Sequence, residues 1–337
     1  VNLAMRGPCC TTGYGNVYRT LVSHLSPRVN VQAFALNNHV APGCSVALCD
    51  RQTFRDLGLL VGYPTDIHQL CTQHRLLYTM AEVSDIPDDW KRELRYSTEV
   101  WVPTTFCSEV FRCYHQRVKT IPVGYDETLY HPEDRPDGWR EAFWQEVCPE
   151  AVGRKVFGSA GIMSPRKGID VLLRAWVAAD LTDAVLVVKS RETPLPIPAV
   201  PNVCVIEDDW PAERMADYYR ALDWFVLPSR GEGLGLQPIE AAACGTPSLV
   251  TRATGPADYI DDQGIYGIEV AGTSRVEGMS ARWAEWVEPD LADLVDKLRG
   301  LCYCCQGVNH NYRRWSMEAL TDRWVAELEQ AGRRARG

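Results

Sequence analysis

No apolar run in the 337-residue chain approaches the roughly 20 residues that a membrane-spanning helix requires, so no integral membrane segment is expected. Positive charge is in deficit: 35 Lys and Arg stand against 44 Asp and Glu, for a net charge of −9. That balance disfavours a general nucleic-acid binder or a strongly membrane-attracted surface, while leaving room for a local basic patch. Low-complexity tracts are missing. Paired cysteine motifs are missing too, because the 13 cysteines are odd in number and irregular in spacing. They frame neither a disulfide scaffold nor zinc knuckles. Cys302, Cys304 and Cys305, with His310 downstream, form the one cluster to weigh as a metal site. Its spacing fits no standard zinc pattern, and packing at a helix end accounts for it better. The chain opens at Val1 in a strand-like run without a signal-peptide pattern. With unpaired cysteines, this points to a reducing cytoplasm and a chain trimmed by a few residues.

What is present reads as a globular α/β protein, with 46% hydrophobic and 23% charged residues and length enough for two domains. Apolar runs predict strands at Val1–Met5, Val29–Ala35, Val46–Cys49, Leu76–Met80, Val100–Pro103 and Val118–Ile121. A second series follows at Val156–Ala160, Ala184–Lys189, Val203–Glu207, Trp224–Leu227, Ser248–Thr251 and Ile265–Val270. Helical patterns lie between them, including Thr104–Tyr114, Ile169–Ala178, Pro211–Ala221, Pro289–Leu301 and a long amphipathic stretch at Tyr312–Gln330. The first strand leads through Gly13-Tyr14-Gly15, with Asn16 placed to cap a helix running to Leu25. A polar segment at Asp134–Gly138 suits a linker, and Pro194, Pro196, Pro198 and Pro201 stiffen a later connection. Ligands of open α/β sheets collect beyond the carboxyl ends of strands. Glu82, Ser84 and Asp85, just past Leu76–Met80, are therefore candidate site residues. Helix capping or a solvated loop acid is the alternative for each.

The most informative stretch is Ser229–Val250, reading SRGEGLGLQPIEAAACGTPSLV. A buried strand at Trp224–Leu227 feeds a loop holding Gly231, Gly233 and Gly235, and then a helix with Gln237 as cap and Pro238 and Glu240 in its first turn. Gly245 and Pro247 end that helix. Strand, glycine loop and helix N-terminus make an anion site, because backbone N–H groups can approach and the helix end favours negative charge. Two carboxylates, Glu232 and Glu240, flank it with seven residues between them. Carboxylates repel phosphate, so their partners are hydroxyl groups beside it. Diphosphate and many hydroxyls together describe a nucleotide sugar.

This segment resembles the E-x7-E signature of retaining glycosyltransferases of the GT-B fold, glycosyltransferase family 4 (glycosyl transferases group 1). The family pattern, close to P-S-x-x-E-G-x-G-L-x-x-x-E-A-x-A-x-G-x-P, is met from Pro228 to Pro247. Gly161–Gly168 is similar to the family's G-R-L-x-x-x-K-G, with Lys167 matching the lysine and Ile162 standing where the arginine is expected. That leaves leaving-group stabilisation short of a cation unless Arg166 reaches round from the loop. Met80–Glu82 followed by Ile86-Pro87-Asp88-Asp89-Trp90 looks like one subgroup, and Val100–Pro103 and Pro122–Asp126 match further family elements.

The resemblance implies two facing Rossmann-like domains with a cleft between them: 1–135 on the acceptor side, 136–308 on the donor side. A helix within 309–337 would cross back onto the first domain. It implies transfer of a hexose from a UDP- or GDP-linked sugar to an acceptor hydroxyl, with retention. No Asp-x-Asp metal-holding pair occurs, which fits a metal-independent design with no cofactor beyond the nucleotide sugar. Lys167, Glu232 and Glu82 are the implied catalytic residues. Gly13, Gly15, Arg166, Lys167, Ile206, Glu232, Gly233, Leu234, Gly235, Leu236 and Glu240 are the implied donor-binding residues. Glu232 would hold a sugar hydroxyl, Glu240 the ribose, and the backbone near Ile206 the base. The acceptor is open among saccharides, small molecules, proteins and modified nucleobases, as is the oligomeric state. Two other readings stand beside this one: a binding subunit that has lost catalysis, motivated by Ile162, and a nucleotide-sugar epimerase on the same fold.

Overall fold

A computed structural model describes residues 1–10, 12–36, 57–192, 200–260, 264–281, 284–302 and 311–336. The chain divides into two units: Val1–Asp126 with Val276–Ala284 and Arg314–Gly337, and Glu127–Arg275 with Glu285–Arg313. The division falls after Asp126, ahead of the boundary expected at 135/136. The cause is Arg220, which donates to His131 O at 2.9 Å and Leu129 O at 2.8 Å, together with an Arg135–Asp217 ion pair at 2.6 Å. Those bonds hold residues 129–135 to the second unit.

The first unit opens with β1 (Asn2–Gly7), α1 (Gly13–Leu25) and β2 (Asn30–Ala35), followed by β3 (Leu57–Val61) and β4 (His74–Tyr78). Next come α2 (Asp88–Glu93), β5 (Glu99–Val102), α3 (Thr105–Arg112) and β6 (Val118–Thr120). The strands form one parallel sheet in the order β2-β1-β3-β4-β5-β6. Parallel strands covered on both faces read as continuous apolar runs, as the wholly buried LGLLV of β3 does. The sequence reading passes over β3, whose glycine, Gly58, weakens the strand pattern. Gly58 is there because a Cβ would meet Thr72 Oγ1 at 2.5 Å. The strand expected at Val46–Cys49 lies outside the described residues. Thr12, not Asn16, caps α1, its hydroxyl accepting from Gly15 N at 3.3 Å. Asn16 sits inside the helix, where its side chain accepts from Arg19.

The second unit contains α4 (Trp139–Val147), β7 (Lys155–Ala160), α5 (Ile169–Ala179), β8 (Ala184–Ser190) and β9 (Val203–Glu207). It continues with α6 (Ala212–Ala221), β10 (Trp224–Leu227), α7 (Leu236–Ala243), β11 (Ser248–Thr251) and β12 (Ile265–Ile268). A hairpin of β13 (Val270–Arg275) and β14 (Glu285–Pro289) precedes α8 (Leu291–Cys302). Its main sheet is parallel in the order β12-β11-β10-β7-β8-β9. Leu186 and Val188 of β8, Phe157 of β7 and Val226 of β10 pack against Leu172 and Trp176 of α5 and Leu294 and Leu298 of α8. The expected strand Ile265–Val270 stops at Ile268, and the antiparallel hairpin follows it. Pro194, Pro196 and Pro198 lie outside the described residues, as do Cys304, Cys305 and His310 of the cysteine cluster.

The chain closes with α9 (Met317–Arg336), which belongs to the first unit. Met317, Thr321, Trp324, Leu328, Ala331 and Gly332 are its buried residues, and their helical spacing marks one face. Trp324 lies with its ring 5.0 Å from Tyr78 and 5.7 Å from Trp101, and its Nε1 donates to Pro122 O at 2.8 Å. Ion pairs Lys119–Glu327 and Arg334–Glu99 flank that contact. Among the described residues no helix is long and apolar enough to cross a membrane. Trp324→Ala removes the largest side chain of this interface and leaves a carbonyl without its donor. It is expected to cost about 3–5 kcal/mol of stability, read from urea unfolding monitored by the remaining tryptophans.

Candidate functional site

Two loops of the second unit build the site. The first leaves β7 at Gly161 and passes through a 3-10 turn at Pro165–Lys167 to Gly168, whose φ of +66° begins α5. Gly168 cannot be replaced, since a Cβ there would stand 1.9 Å from Pro228 O at the end of β10. That close approach brings the second loop, Ser229–Gly235, alongside the first. Arg230 then fastens them. Its backbone N donates to Arg166 O at 2.7 Å, and its guanidinium binds Asp170 through two 2.7 Å bonds and Glu288 at 2.8 Å, as well as Pro165 O.

The outcome is a convergence of charge. Lys167 Nζ lies 2.7 Å and Arg166 Nη1 3.0 Å from the same oxygen, Oε1 of Glu232. Arg166 also donates to Gly231 O at 2.7 Å, and Lys167 to Gln237 Oε1 at 3.3 Å. Burial pushes the Glu232 carboxyl up, but the Arg166 and Lys167 charges outweigh it and hold it below the usual range. Arg166 thus meets Glu232 beside Lys167, while Ile162 is 40% exposed.

Helix α7 begins at Leu236 with Gly235 as its cap residue, at φ +75°. A Cβ on Gly235 would press within 2.9 Å of the Tyr259 hydroxyl, which donates to Gly235 O. Gln237 is therefore not the cap; it lies inside the helix and serves Lys167. Glu240 lies two residues further in than expected, and it is buried. Its carboxylate accepts from Tyr219 Oη at 3.2 Å, and burial pushes its pKa up to about 7 against that bond and the Lys167 charge. Glu232 is held in turn by Thr254, whose Oγ1 accepts from Glu232 N at 3.1 Å, and by Gly255 N on Glu232 O at 2.9 Å. Thr254 takes φ +55°, a conformation uncommon for a β-branched residue, and the following Gly255 has no room for a Cβ beside Gly233 O.

Of the expected residues, Arg166, Lys167, Glu232, Gly233, Leu234, Gly235, Leu236 and Glu240 share these two loops and α7. Ile206 is on β9, two strands from β7 in the same sheet. Gly13, Gly15 and Glu82 belong to the first unit. There Tyr14 joins the glycine loop to the end of β4, accepting from Met80 N at 2.9 Å and bonding Thr79 Oγ1 at 3.1 Å. Gly15 is required by its own loop, where a Cβ would stand 1.9 Å from Cys10 O, whereas Gly13 has open space. Glu82 and Ser84 are exposed past β4. Asp85 is a structural acid instead. It is buried and accepts from Tyr114 at 2.6 Å, Lys91 at 2.9 Å and Ile86 N at 2.8 Å. Sequence reasoning missed Arg230, Tyr219, Gln237 and Thr254. Only Arg230 carried a signal, as the charged residue inside the P-S-x-x-E run.

The two glutamates give a pH prediction. A carboxyl whose pKa rises from 4.5 to about 7 on folding binds more proton in the folded than in the unfolded state between those values. Folding stability is therefore lost as pH rises through that window, by about 3 kcal/mol if Glu240 acts alone. Glu240→Gln removes that loss. Its stability relative to wild type is expected to climb between pH 5 and pH 8, as read from urea midpoints; parallel curves for the two proteins would refute the assignment.

Comparison with known proteins follows the same lines. Residues 154–288 match the family described as glycosyl transferases group 1. A D-inositol 3-phosphate glycosyltransferase of Segniliparus rotundus is 29% identical over 232 residues, covering 64% of this chain and 47% of the relative. One from Nocardiopsis dassonvillei is 32% identical over 174 residues, covering 46% of this chain and 39% of the relative. The chain thus spans less than half the length of these curated relatives. Sucrose-phosphate synthase from Thermosynechococcus elongatus has the same fold, with a TM-score of 0.69 at 16% identity over 98% of both chains. Anabaena HepE in complex with UDP and glucose gives 0.67 at 13% identity, over 98% of this chain and 99% of that one. The match to the group 1 glycosyl transferases thus falls on residues 154–288 of the second unit, and the likeness to these solved structures gives the chain the GT-B fold.

Proposed function

We propose that the chain transfers a hexose from a UDP- or GDP-linked sugar to an acceptor hydroxyl, with retention and without a metal ion. The observation that carries this reading is the meeting of Lys167 and Arg166 on one buried oxygen of Glu232, beside the N-terminus of α7. Two cations against one carboxylate leave a net positive charge at a helix end. A diphosphate satisfies that charge, and the second oxygen of Glu232 is then placed to accept from a sugar hydroxyl. Glu240 takes the ribose hydroxyls.

In the reaction, the acceptor oxygen bonds to the anomeric carbon as the bond from that carbon to the β-phosphate oxygen breaks. The acceptor proton passes to the departing phosphate on the same face, so no separate carboxylate pair is needed. Negative charge grows on the leaving diphosphate, where Lys167, Arg166 and the N–H groups of Gly233–Leu236 stabilise it. Glu82, exposed past β4 of the first unit, positions acceptor or sugar. The named acceptor of the relatives, an inositol phosphate, favours a small hydroxylated molecule over a protein or a nucleobase. Arg166 beside Lys167 weakens the case for a subunit without catalysis, and the matched family and relatives are transferases rather than epimerases.

Slow release of nucleoside diphosphate from a panel of nucleotide sugars, without acceptor, tests the site. Lys167→Ala and Glu240→Ala, checked by melting curves for intact folding, are each expected to lower release by about 100-fold or more. Release by the wild-type chain is expected to persist unchanged in EDTA. Unaltered release from both variants would overturn the assignment, and loss in EDTA would overturn the metal-free mechanism.

A further inference from the structure

The strand order sets out a row of positions along the carboxyl edge of the second sheet. Neighbouring strands β10, β7, β8 and β9 lead in turn to the Glu232 loop, the Arg166–Lys167 turn, Lys189 and Ile206. Lys189 sits next to the phosphate-binding loop, since Gly161 N donates to Lys189 O at 3.0 Å. It is also in register with Ile206. Its residue is only 6% exposed, an unusual setting for a lysine. The ammonium lies 5.3 Å from the centre of the Trp210 ring. Among the described residues no carboxylate or carbonyl accepts a hydrogen bond from it. Asp208 is engaged by Trp210 Nε1 at 2.8 Å, and Arg214 lies over the same ring at 4.9 Å. Burial pushes the Lys189 pKa down, with the Asp209 and Asp208 charges opposing it. A cation so placed destabilises the empty protein, and a ring face only partly offsets the missing acceptor.

A nucleoside diphosphate held at the Arg166–Lys167 turn must extend along the edge in one of two directions. On the β11 side, Gly255 N bonds Glu232 O and Tyr259 Oη bonds Gly235 O, so these polar groups are already paired within the chain. On the β8 and β9 side stands the Lys189 ammonium, which has no hydrogen-bond acceptor among the described residues. Resting on the nucleotide-sugar reading above, we propose that Lys189 donates a hydrogen bond to a ring carbonyl oxygen of the donor's nucleobase. An ammonium has three donors and no acceptor, so it can satisfy the keto oxygen of uracil or guanine. The exocyclic amino group that cytosine and adenine carry at the corresponding ring position is also a donor, and facing Lys189 it leaves both groups unpaired. Lys189 thereby selects keto-base over amino-base donors.

The test is calorimetric binding of UDP, GDP, CDP and ADP to the full 337-residue chain and to its Lys189→Met and Lys189→Gln variants. Wild type is expected to bind UDP or GDP at least about tenfold more tightly than CDP and ADP, the scale of a charge-assisted hydrogen bond. Both variants should narrow that gap to a few-fold by weakening the keto nucleotides. Lys189→Met, relieved of a buried charge, should melt no lower than wild type without ligand. Equal binding of all four by wild type, or a preference that survives both substitutions, overturns the base contact while leaving nucleotide binding intact. A uniform loss for all four, matched by weaker competition from inorganic pyrophosphate, also overturns it, because Lys189 would then serve the phosphates. Failure of every nucleoside diphosphate to bind the wild-type chain sinks both this inference and the function it rests on.

Discussion

Everything at the site depends on two loops lying close enough for a lysine and an arginine from one to share a carboxylate oxygen from the other. The approach is possible because Gly168 has no side chain to strike Pro228 O. It is maintained because Arg230 binds Pro165, Arg166, Asp170 and Glu288 together. The sheet supplies the level at which the loops meet, since β7 and β10 are adjacent parallel strands that end on the same edge. Burying a carboxylate is unfavourable without partners, so Glu232 and its two cations stand or fall as a group.

Glu232 and Glu240 show how one loop–helix unit makes two different acids. Glu232 has cations at hydrogen-bond distance and stays ionised despite its burial. Glu240 has a tyrosine hydroxyl and a more distant lysine charge, so burial dominates and its proton is held to about pH 7. Their seven-residue separation places one before the helix and the other inside it. The difference in surroundings, rather than in residue type, sets the protonation of each.

Much of this was legible in the sequence. The fold class followed from alternating strand and helix patterns, and the glutamate-bearing loop from glycines and acids at fixed spacing. What stayed hidden has physical causes. Strand β3 is interrupted by Gly58, placed there for its neighbour Thr72 rather than for the strand. The caps of α1 and α7 depend on which backbone turns first, and Thr12 and Gly235 won over Asn16 and Gln237. Asp85 read as a site acid because its partners Lys91 and Tyr114 are brought to it only by folding. Tyr219 and Thr254 act through long-range contacts that no local pattern encodes, and the partners of Arg230, unlike its place in the motif, are brought to it only by folding.

The Arg230 junction has one consequence for how this chain tolerates change. Its guanidinium ties strand β14 to the turn carrying Lys167, and Val287 N bonds Arg230 O at 3.0 Å from the same strand. The hairpin is therefore a brace for the cations rather than an ornament on the sheet edge. A change at Glu288 would therefore be felt at Arg166 and Lys167 by way of Arg230.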